Sequence, residues 1–164
     1  MKNRISLLFL VSFLILLGVS CQNQSHSRLV ENNKAIALLF AQVWSSHDSV
    51  KFSTLFAKDF IYRDMPFGLE SKTKNQIINF VNITVKAVTD LKMTPISIIA
   101  SDSMAVVEWI WTGTYIGGWG PEYPGNNKPF TIRGVSIMEI ENGLIKRNYD
   151  YYDKDPFRKK DELK

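Results

Sequence analysis

Residues Phe130–Asp153 read FTIRGVSIMEIENGLIKRNYDYYD and carry the clearest structural signal in the chain. Two runs rich in alternating β-branched and aromatic residues, Phe130–Glu141 and Leu144–Asp153, flank the pair Asn142-Gly143. An Asn-Gly pair between two such runs is the strongest short-range signal for a tight β-hairpin. The domain is therefore predicted to close with two antiparallel strands.

Further strand and helix patterns precede this hairpin. Helical spacing of apolar residues predicts helices over Leu29–Ser46 and Thr73–Val88, with a short helix between them that Asp48 caps and that runs through Phe56. Earlier strands are predicted over Asp59–Asp64, Lys92–Ser101 and Met104–Ile116. Helices followed by an antiparallel meander predict an α+β fold, in which the helices pack on one face of a curved, mainly antiparallel sheet.

The first residues have the pattern of a secretory signal. Lys2 and Arg4 precede the apolar run Ile5–Leu17, which is shorter than a membrane span, and small residues lead to Cys21. The sequence LLGVSC ending at Cys21 resembles a bacterial lipobox, with Gly18 where a Leu is usual. An ordinary signal peptide is the alternative.

The lipobox resemblance implies a lipid on Cys21 and a protein anchored in the cell envelope, either in the outer membrane or facing the periplasm. The predicted organisation is a signal peptide over residues 1–20, a lipidated Cys and polar tether over 21–28, one domain over 29–153, and a polar tail over 154–164.

Composition excludes several classes of function. Apolar residues make up 45% of the chain, which is ordinary for a globular protein. The net charge of +4 falls by two without Lys2 and Arg4, too little for a nucleic-acid partner. One Cys excludes an internal disulfide, and His26 and His47 are too few for a zinc site. No metal or other cofactor is predicted.

Strand alternation brings chemically useful residues onto common faces. The three sets that share a face within their strands are Asn148, Asp150 and Tyr152, then Trp109 and Trp111, then Tyr62 and Asp64. If the sets face one cavity, that cavity is aromatic and holds two carboxylates. Burial and a neighbouring like charge raise the pKa of a carboxyl group, which suits it to acid–base chemistry near neutral pH.

Each of these residues also has a purely structural interpretation. Asp150 could pair with Lys146 or Arg133 at the strand end. Asp64 could cap the turn Met65–Gly68. Trp109 and Trp111 could belong to the core or to a dimer interface.

Three stretches together resemble the SnoaL-like polyketide cyclases and their relatives, the limonene-1,2-epoxide hydrolases, within the NTF2-like superfamily. They are Asp59–Phe67 (DFIYRDMPF), Trp111–Gly117 (WTGTYIG) and Asn142–Asp153 (NGLIKRNYDYYD). The resemblance covers residues 29–153 and implies a cone in which helices wrap a bent sheet around one hydrophobic cavity. Relatives use this cavity for cyclisation, isomerisation, epoxide hydrolysis or binding.

Carried over residue by residue, the resemblance implies roles for a few positions. The water-holding Tyr of the epoxide hydrolases falls on Tyr62, its Asn partner on Asp64, and one Asp of their Asp–Arg–Asp set on Asp150. The other two members of that set fall on Trp109 and Trp111, which argues against that hydrolysis. Tyr115 stands where cyclases often have His, and their late acid falls on Asp150 or Asp153.

Two features indicate that a loop and a second subunit cover the sheet. The Gly- and Pro-rich connection Gly117–Pro129 carries Trp119 and Tyr123, a pattern typical of a lid or a partner contact. The late strands have apolar residues on both faces, for example Ile132 on one and Val135 on the other. A sheet with two apolar faces needs two covers, so a homodimer is predicted.

Three functions remain open at this point. The first is an envelope lipoprotein that binds a small hydrophobic molecule through Trp109, Trp111, Tyr115, Trp119, Asn148 and Tyr152. The second is an acid–base enzyme of cyclase, isomerase or hydrolase type that uses Asp150, with Asp64 and Tyr62. The third is a protein-interaction module.

Overall fold

The computed structural model describes residues 26–158. Helix α1 spans residues 26–46, α2 spans Ser49–Thr54 and α3 spans Lys74–Ala87. The strands are β1 (Phe56–Asp64), β2 (Leu69–Ser71), β3 (Lys92–Ala100), β4 (Met104–Tyr115), β5 (Lys128–Glu141) and β6 (Leu144–Tyr152), and a 3-10 turn over Asp155–Phe157 follows.

Local capping explains where α2 and α3 begin. The Asp48 carboxylate accepts a 2.8 Å hydrogen bond from the Lys51 N–H, as the sequence predicts. Thr73 and Gln76 form a capping box, in which each side chain satisfies the other's backbone N–H at the start of α3. Helix α2 ends at Thr54 and β1 begins at Phe56, so the first strand starts three residues earlier than predicted.

The six strands form one mixed sheet in the order β2-β1-β6-β5-β4-β3. Strands β3 to β6 are the predicted antiparallel meander, and Asn142 and Gly143 both have the positive φ angles (52° and 75°) of a tight hairpin turn. Strand β1 pairs with β6 in parallel. The first long strand and the last strand of the domain are therefore neighbours.

The helices pack on one face of the curved sheet, which confirms the predicted α+β class. Alternate residues of β4, such as Val107 and Trp109, are buried on this face, while their neighbours are only half-buried. The strand registers shift at three places, between β1 and β6, β3 and β4, and β5 and β6. Such irregularities bend strands and allow a sheet to wrap around a cavity.

The chain beyond Asp153 packs back onto the domain. Phe157 is 1% exposed and contacts Trp111, Tyr115, Trp119 and Phe130, so the packed domain extends past the predicted boundary at Asp153. Burial of this one aromatic side chain therefore holds the segment against the domain, despite the charged residues around it. At the other end, residues 26–28 of the predicted tether already belong to α1.

The predicted signal peptide and Cys21 lie outside the described residues, as do residues 159–164 of the predicted tail. None of the helices within residues 26–158 combines the length and apolar content that crossing a membrane requires.

Candidate active site

A cavity of about 490 Å³ lies between the buried face of the sheet and the helices. Its polar side chains come mainly from β1 and β6, and its remaining wall is dominated by aromatic rings. These aromatic residues are Trp44, Tyr62, Phe67, Phe80, Trp109, Trp111, Trp119, Tyr123 and Tyr152. The structure therefore brings members of all three residue sets that share strand faces into one wall, with Asn148 as the exception.

The neighbouring strands β1 and β6 exchange two tyrosine–aspartate hydrogen bonds. Asp64 and Asp150 are register partners on these parallel strands. The Tyr62 hydroxyl donates to Asp150 Oδ2, and the Tyr152 hydroxyl donates to Asp64 Oδ2 at 2.7 Å. Each carboxylate thus accepts a hydrogen bond from a tyrosine on the neighbouring strand. All four side chains line the cavity.

Asp150 is the buried acid of the site, at 4% exposure. Loss of hydration on burial raises the pKa of its carboxyl group from 3.8 to about 6. Hydrogen bonds from Ser136, Tyr62 and Asn148 oppose this rise, the last through a 2.7 Å contact from the Asn148 amide to Oδ1. A carboxyl group with this pKa can accept or donate a proton near neutral pH.

Asp64 combines two of the roles considered for it. Its Oδ1 accepts a 3.1 Å hydrogen bond from the Phe67 N–H, so it does cap the turn that follows β1. It also lines the cavity, where burial raises its pKa and the Tyr152 hydrogen bond and the Lys154 charge lower it. Asp64 therefore caps the turn and also contributes a carboxyl group to the cavity wall.

The alternative ion pairs for Asp150 do not form. Lys146 pairs with Asp59 instead, and Arg133 pairs with Glu108 at 3.1 Å. Arg133 lies on the outer side of the sheet, because it is three residues from Ser136, the register partner of Asp150 on β5. Lys146 lies on β6 where the β5–β6 register shifts, and its ammonium bonds the exposed Asp59. Asp153 is exposed and accepts a hydrogen bond from the Asp155 N–H, so Asp150 is the acid that faces the cavity.

Trp109 reaches the cavity because Gly134 leaves room for it. A Cβ atom at Gly134 would lie 2.1 Å from Cη2 of the Trp109 indole, so the ring rests directly on the glycine of the neighbouring strand. The indole Nε1–H donates a 2.9 Å hydrogen bond to Ser136, which in turn supports Asp150. Trp109 is therefore both part of the wall and part of the network around the acid.

Two of the predicted ligand contacts lie behind the wall. Tyr115 is 1% exposed, stacks on Trp119 with ring centroids 4.6 Å apart and donates its hydroxyl hydrogen bond to the Tyr123 carbonyl. Asn148 is fully buried and supports Asp150. Neither belongs to the described lining of the cavity, so the prediction that they touch the ligand directly is not supported by their positions.

The loop after β4 closes one side of the cavity. Trp119 packs against Phe67 at a centroid distance of 5.4 Å and against Phe157 at 4.9 Å, and Tyr123 is buried beside Phe67. The aromatic side chains of this loop thus fold back over the domain and form part of the cavity wall.

For several residues of the wall, no pattern in the sequence indicates that they line a cavity. Trp44 comes from α1, Phe80 and Thr84 from α3, and Lys154 from the segment predicted to be a solvated tail. The Lys154 ammonium donates to the Pro66 carbonyl and lies 5.1 Å from the centre of the Phe67 ring. Apolar periodicity identifies the helical residues as buried but not as cavity-lining, because both kinds of position use the same residue types.

No three His, Cys, Asp or Glu side chains within residues 26–158 come together in an arrangement that would hold a metal ion. The chemistry that the described groups support is proton transfer. Asp150 supplies a titratable oxygen, Tyr62 and Ser136 donate hydrogen bonds to it, and aromatic rings form most of the surrounding wall.

The fold is similar to several solved structures, all below 25% sequence identity. One is a Catenulispora acidiphila protein of ketosteroid isomerase-like fold, in complex with trimethylamine; it is 20% identical, with 74% of this chain and 88% of that chain covered and a TM-score of 0.65. Another is a candidate polyketide cyclase from Xanthomonas campestris, 15% identical, with 76% and 93% covered and a TM-score of 0.63.

A third is AclR, a candidate hydroxylase from Streptomyces galilaeus, which is 16% identical over 77% of this chain and 82% of its own, with a TM-score of 0.66. No curated protein matches the chain significantly. The model of the family described as SnoaL-like polyketide cyclase matches residues 34–159, which is most of the chain and includes the whole β1–β6 site. This protein belongs to the SnoaL-like polyketide cyclase family.

Proposed function

We propose that the domain binds a small, largely apolar molecule in its cavity and transfers a proton to or from it through Asp150. The observation that carries this proposal is the position of Asp150. Its carboxyl group is buried in the wall of an aromatic cavity, is oriented by Tyr62, and has its pKa raised to about 6 by burial. A carboxylate with a purely structural role does not require burial in the wall of such a cavity.

The reaction class that suits the site is proton abstraction from a carbon next to a carbonyl. In its ionised form Asp150 takes the proton, the electrons of the C–H bond move into the carbonyl group, and an enol or enolate forms. Return of the proton from Asp150 to another carbon gives isomerisation. In ring closure the enolate carbon attacks a second carbonyl, the C=O π electrons move to its oxygen, and the alkoxide that forms takes the proton back from Asp150. Each course returns Asp150 to its ionised form and needs no further co-reactant.

Binding without chemistry is the second candidate function. The aromatic wall and the cavity volume of about 490 Å³ suit an apolar ring compound whether or not a reaction follows. In a purely binding protein, Asp150 would serve only as a hydrogen-bond partner. Asp150→Asn would then preserve binding, and there would be no catalytic activity for it to abolish.

The test of the enzyme proposal is hydrogen–deuterium exchange into 2-tetralone, a bicyclic ketone with acidic hydrogens beside its carbonyl, followed by NMR in D₂O. We expect the wild-type protein to accelerate exchange, with a rate that rises through about pH 6 as Asp150 ionises. Asp150→Asn should reduce the acceleration by roughly 10²-fold or more.

Asp153→Asn is the matched control, because Asp153 lies near the end of the same strand but is exposed. It should exchange like the wild type. Equal acceleration by the Asp150→Asn protein would rule out the catalytic role, while tight binding of the ketone without any exchange would favour the purely binding function.

We further propose that the protein is a lipoprotein of the cell envelope. Support comes from the charged start, the apolar run Ile5–Leu17 and the position of Cys21, the single Cys of the chain, after small residues. Mass spectrometry of the mature protein should find a lipid on an N-terminal Cys21. A Cys21→Ala protein that keeps the same lipid mass and stays in the membrane fraction would refute this.

A further inference from the structure

Most hydrogen-bond donors in the cavity wall already have a partner within the protein. The hydroxyls of Tyr62 and Tyr152 donate to the two carboxylates. The Trp109 indole donates to Ser136, and the Thr84 hydroxyl donates to the Phe80 carbonyl at 3.0 Å. These donors hold the wall together, so a ligand would have to break an existing hydrogen bond to use one of them.

Two buried donors are exceptions. The indole Nε1–H groups of Trp44 and Trp111 are buried and have no acceptor within hydrogen-bond distance among residues 26–158. Both side chains belong to the cavity wall, and they are 4% and 5% exposed. The third buried atom without a partner, Asn148 Oδ1, is an acceptor and lies behind Asp150.

The surroundings of the two indoles explain why the protein itself supplies no acceptor. Trp44 packs against Phe52 and Phe80, with centroid distances of 5.0 and 6.1 Å. Trp111 packs against Phe130 and Phe157, at 5.4 and 5.9 Å. A buried N–H group without an acceptor costs stability, and folded proteins rarely keep one. Phe at either position would fill an aromatic site without that cost.

We propose that the indole N–H groups of Trp44 and Trp111 are hydrogen-bond donors reserved for the ligand, and that they select a molecule whose ring system carries acceptor oxygens. Trp44 lines the cavity from helix α1 and Trp111 from strand β4, on its helical side and its sheet side. Protein atoms cover both nitrogens, so each indole turns its N–H edge toward the ligand oxygen when the ligand binds. This inference rests on the proposed binding function and adds a rule for selectivity to it.

The test compares two probes that differ by one oxygen, 9-fluorenone and fluorene. Their dissociation constants are measured by equilibrium dialysis with the full chain in a fixed detergent concentration. Trp44 and Trp111 are then replaced one at a time by benzothienylalanine, in which sulfur stands in place of the indole N–H and the ring shape is kept. Partition into detergent is the same for every protein, so it cancels when the fluorenone preference is compared between variants.

We expect the wild type to prefer fluorenone, and the preference to fall about fivefold in at least one of the two variants, the effect of one hydrogen bond of about 1 kcal/mol. The affinity for fluorene is the control, because this probe has no oxygen that could accept a hydrogen bond. It should change little in either variant, so that the lost preference comes from weaker binding of fluorenone alone.

The proposal is overturned if the wild type shows no preference for fluorenone, or if neither replacement changes that preference. This failure is distinct from failure of the proposed enzymatic function. The benzothienyl proteins keep Asp150, so their 2-tetralone exchange reports on catalysis in the same samples. Exchange that continues with an unchanged preference would remove the selectivity rule and leave the enzyme proposal standing.

Discussion

The Tyr62 hydroxyl donates a hydrogen bond to Asp150, a residue 88 positions later in the chain. Tyr152 donates to Asp64 over the same separation in the opposite sense. The two contacts are diagonal because β1 and β6 are parallel with Asp64 opposite Asp150, and the tyrosine comes before the acid on β1 but after it on β6. The pKa of each acid is therefore influenced by a tyrosine on the neighbouring strand.

The first prediction concerns the pKa of Asp150. The Tyr62 hydrogen bond stabilises the ionised carboxylate, so Tyr62→Phe should raise the pKa of Asp150 above about 6, by about one unit. A ¹³C NMR titration of the carboxyl carbon measures this directly.

Tyr152→Phe is the companion variant, because its hydroxyl bonds Asp64 rather than Asp150. It should raise the pKa of Asp64 and move that of Asp150 much less. A Tyr62→Phe protein in which the pKa of Asp150 falls would contradict the assigned hydrogen bond.

The second prediction concerns stability and pH. The folded state holds the Asp150 proton more tightly than the unfolded state, since burial raises this pKa from 3.8 to about 6. The stabilising contribution is therefore complete below about pH 4 and is lost as the pH rises through about 6. The full loss is about 3 kcal/mol for this group, and Asp64, whose pKa is also raised, acts in the same direction.

Urea unfolding of wild type and Asp150→Asn between pH 4 and pH 7.5 tests this. The free energy of unfolding of the variant, relative to wild type, should rise with pH across that window. Asp153→Asn, which changes an exposed acid, should not reproduce the trend. A pH-independent difference for Asp150→Asn would show that burial does not perturb Asp150 in the folded protein.

The third prediction concerns the glycine beneath Trp109. Gly134→Ala places a methyl carbon only 2.1 Å from Cη2 and 2.5 Å from Cζ2 of the Trp109 indole, so the ring must move away from β5. We expect a loss of about 1–3 kcal/mol in the free energy of unfolding and weaker binding of bulky ring compounds. Denaturant unfolding and equilibrium dialysis measure the two effects.

The double variant Gly134→Ala with Trp109→Phe is the control for this mechanism. A smaller ring leaves space for the methyl group, so Trp109→Phe should cost less in the protein that already carries Gly134→Ala than in the wild type. Additive costs would mean that the two side chains do not interfere with each other.

The fourth prediction concerns the outer face of the sheet. Ile99 is 70% exposed beside Val106 and Val135, and a shallow groove of about 420 Å³ crosses this face next to the Glu108–Arg133 ion pair. We predict that two copies associate through this apolar face and form a homodimer. Ile99→Lys should shift the mass measured by light scattering toward the monomer.

Val50→Lys is the matched control, because Val50 is similarly exposed, at 63%, but lies on α2. It should leave the mass unchanged. A monomeric wild type at micromolar concentration would refute the dimer.

Much of the secondary structure follows from local patterns. The hairpin at Asn142-Gly143, the cap at Asp48 and helix α3 all depend on neighbours within a few residues, and each occurs as predicted. Strand β2 was not predicted, because three residues are too few to show alternation. The early start of β1 was missed because Phe56 fits the apolar stripe of a helix as well as it fits a strand.

The candidate site also contains some residues that local patterns placed correctly and others that they could not place. Alternation correctly grouped Asp150 with Tyr152 and Tyr62 with Asp64, and the structure places all four in one cavity wall. It could not separate Tyr115 from Trp111, which share a face of β4, because the aromatic loop and Phe157 cover Tyr115. It also missed Lys154, whose ammonium is held by a turn and an aromatic ring far away in sequence.

Local sequence patterns established the class of fold, the order of its longer elements and, away from the register shifts, the face of each strand on which a side chain lies. These properties depend mainly on residues close in the chain. The tertiary structure alone decided that β1 and β6 pair in parallel with Asp64 opposite Asp150. That register sets which tyrosine meets which acid, how deeply Asp150 is buried and which indoles lack a partner. Such properties arise between residues far apart in the chain, where hydration is lost and distances are set by packing of the whole domain.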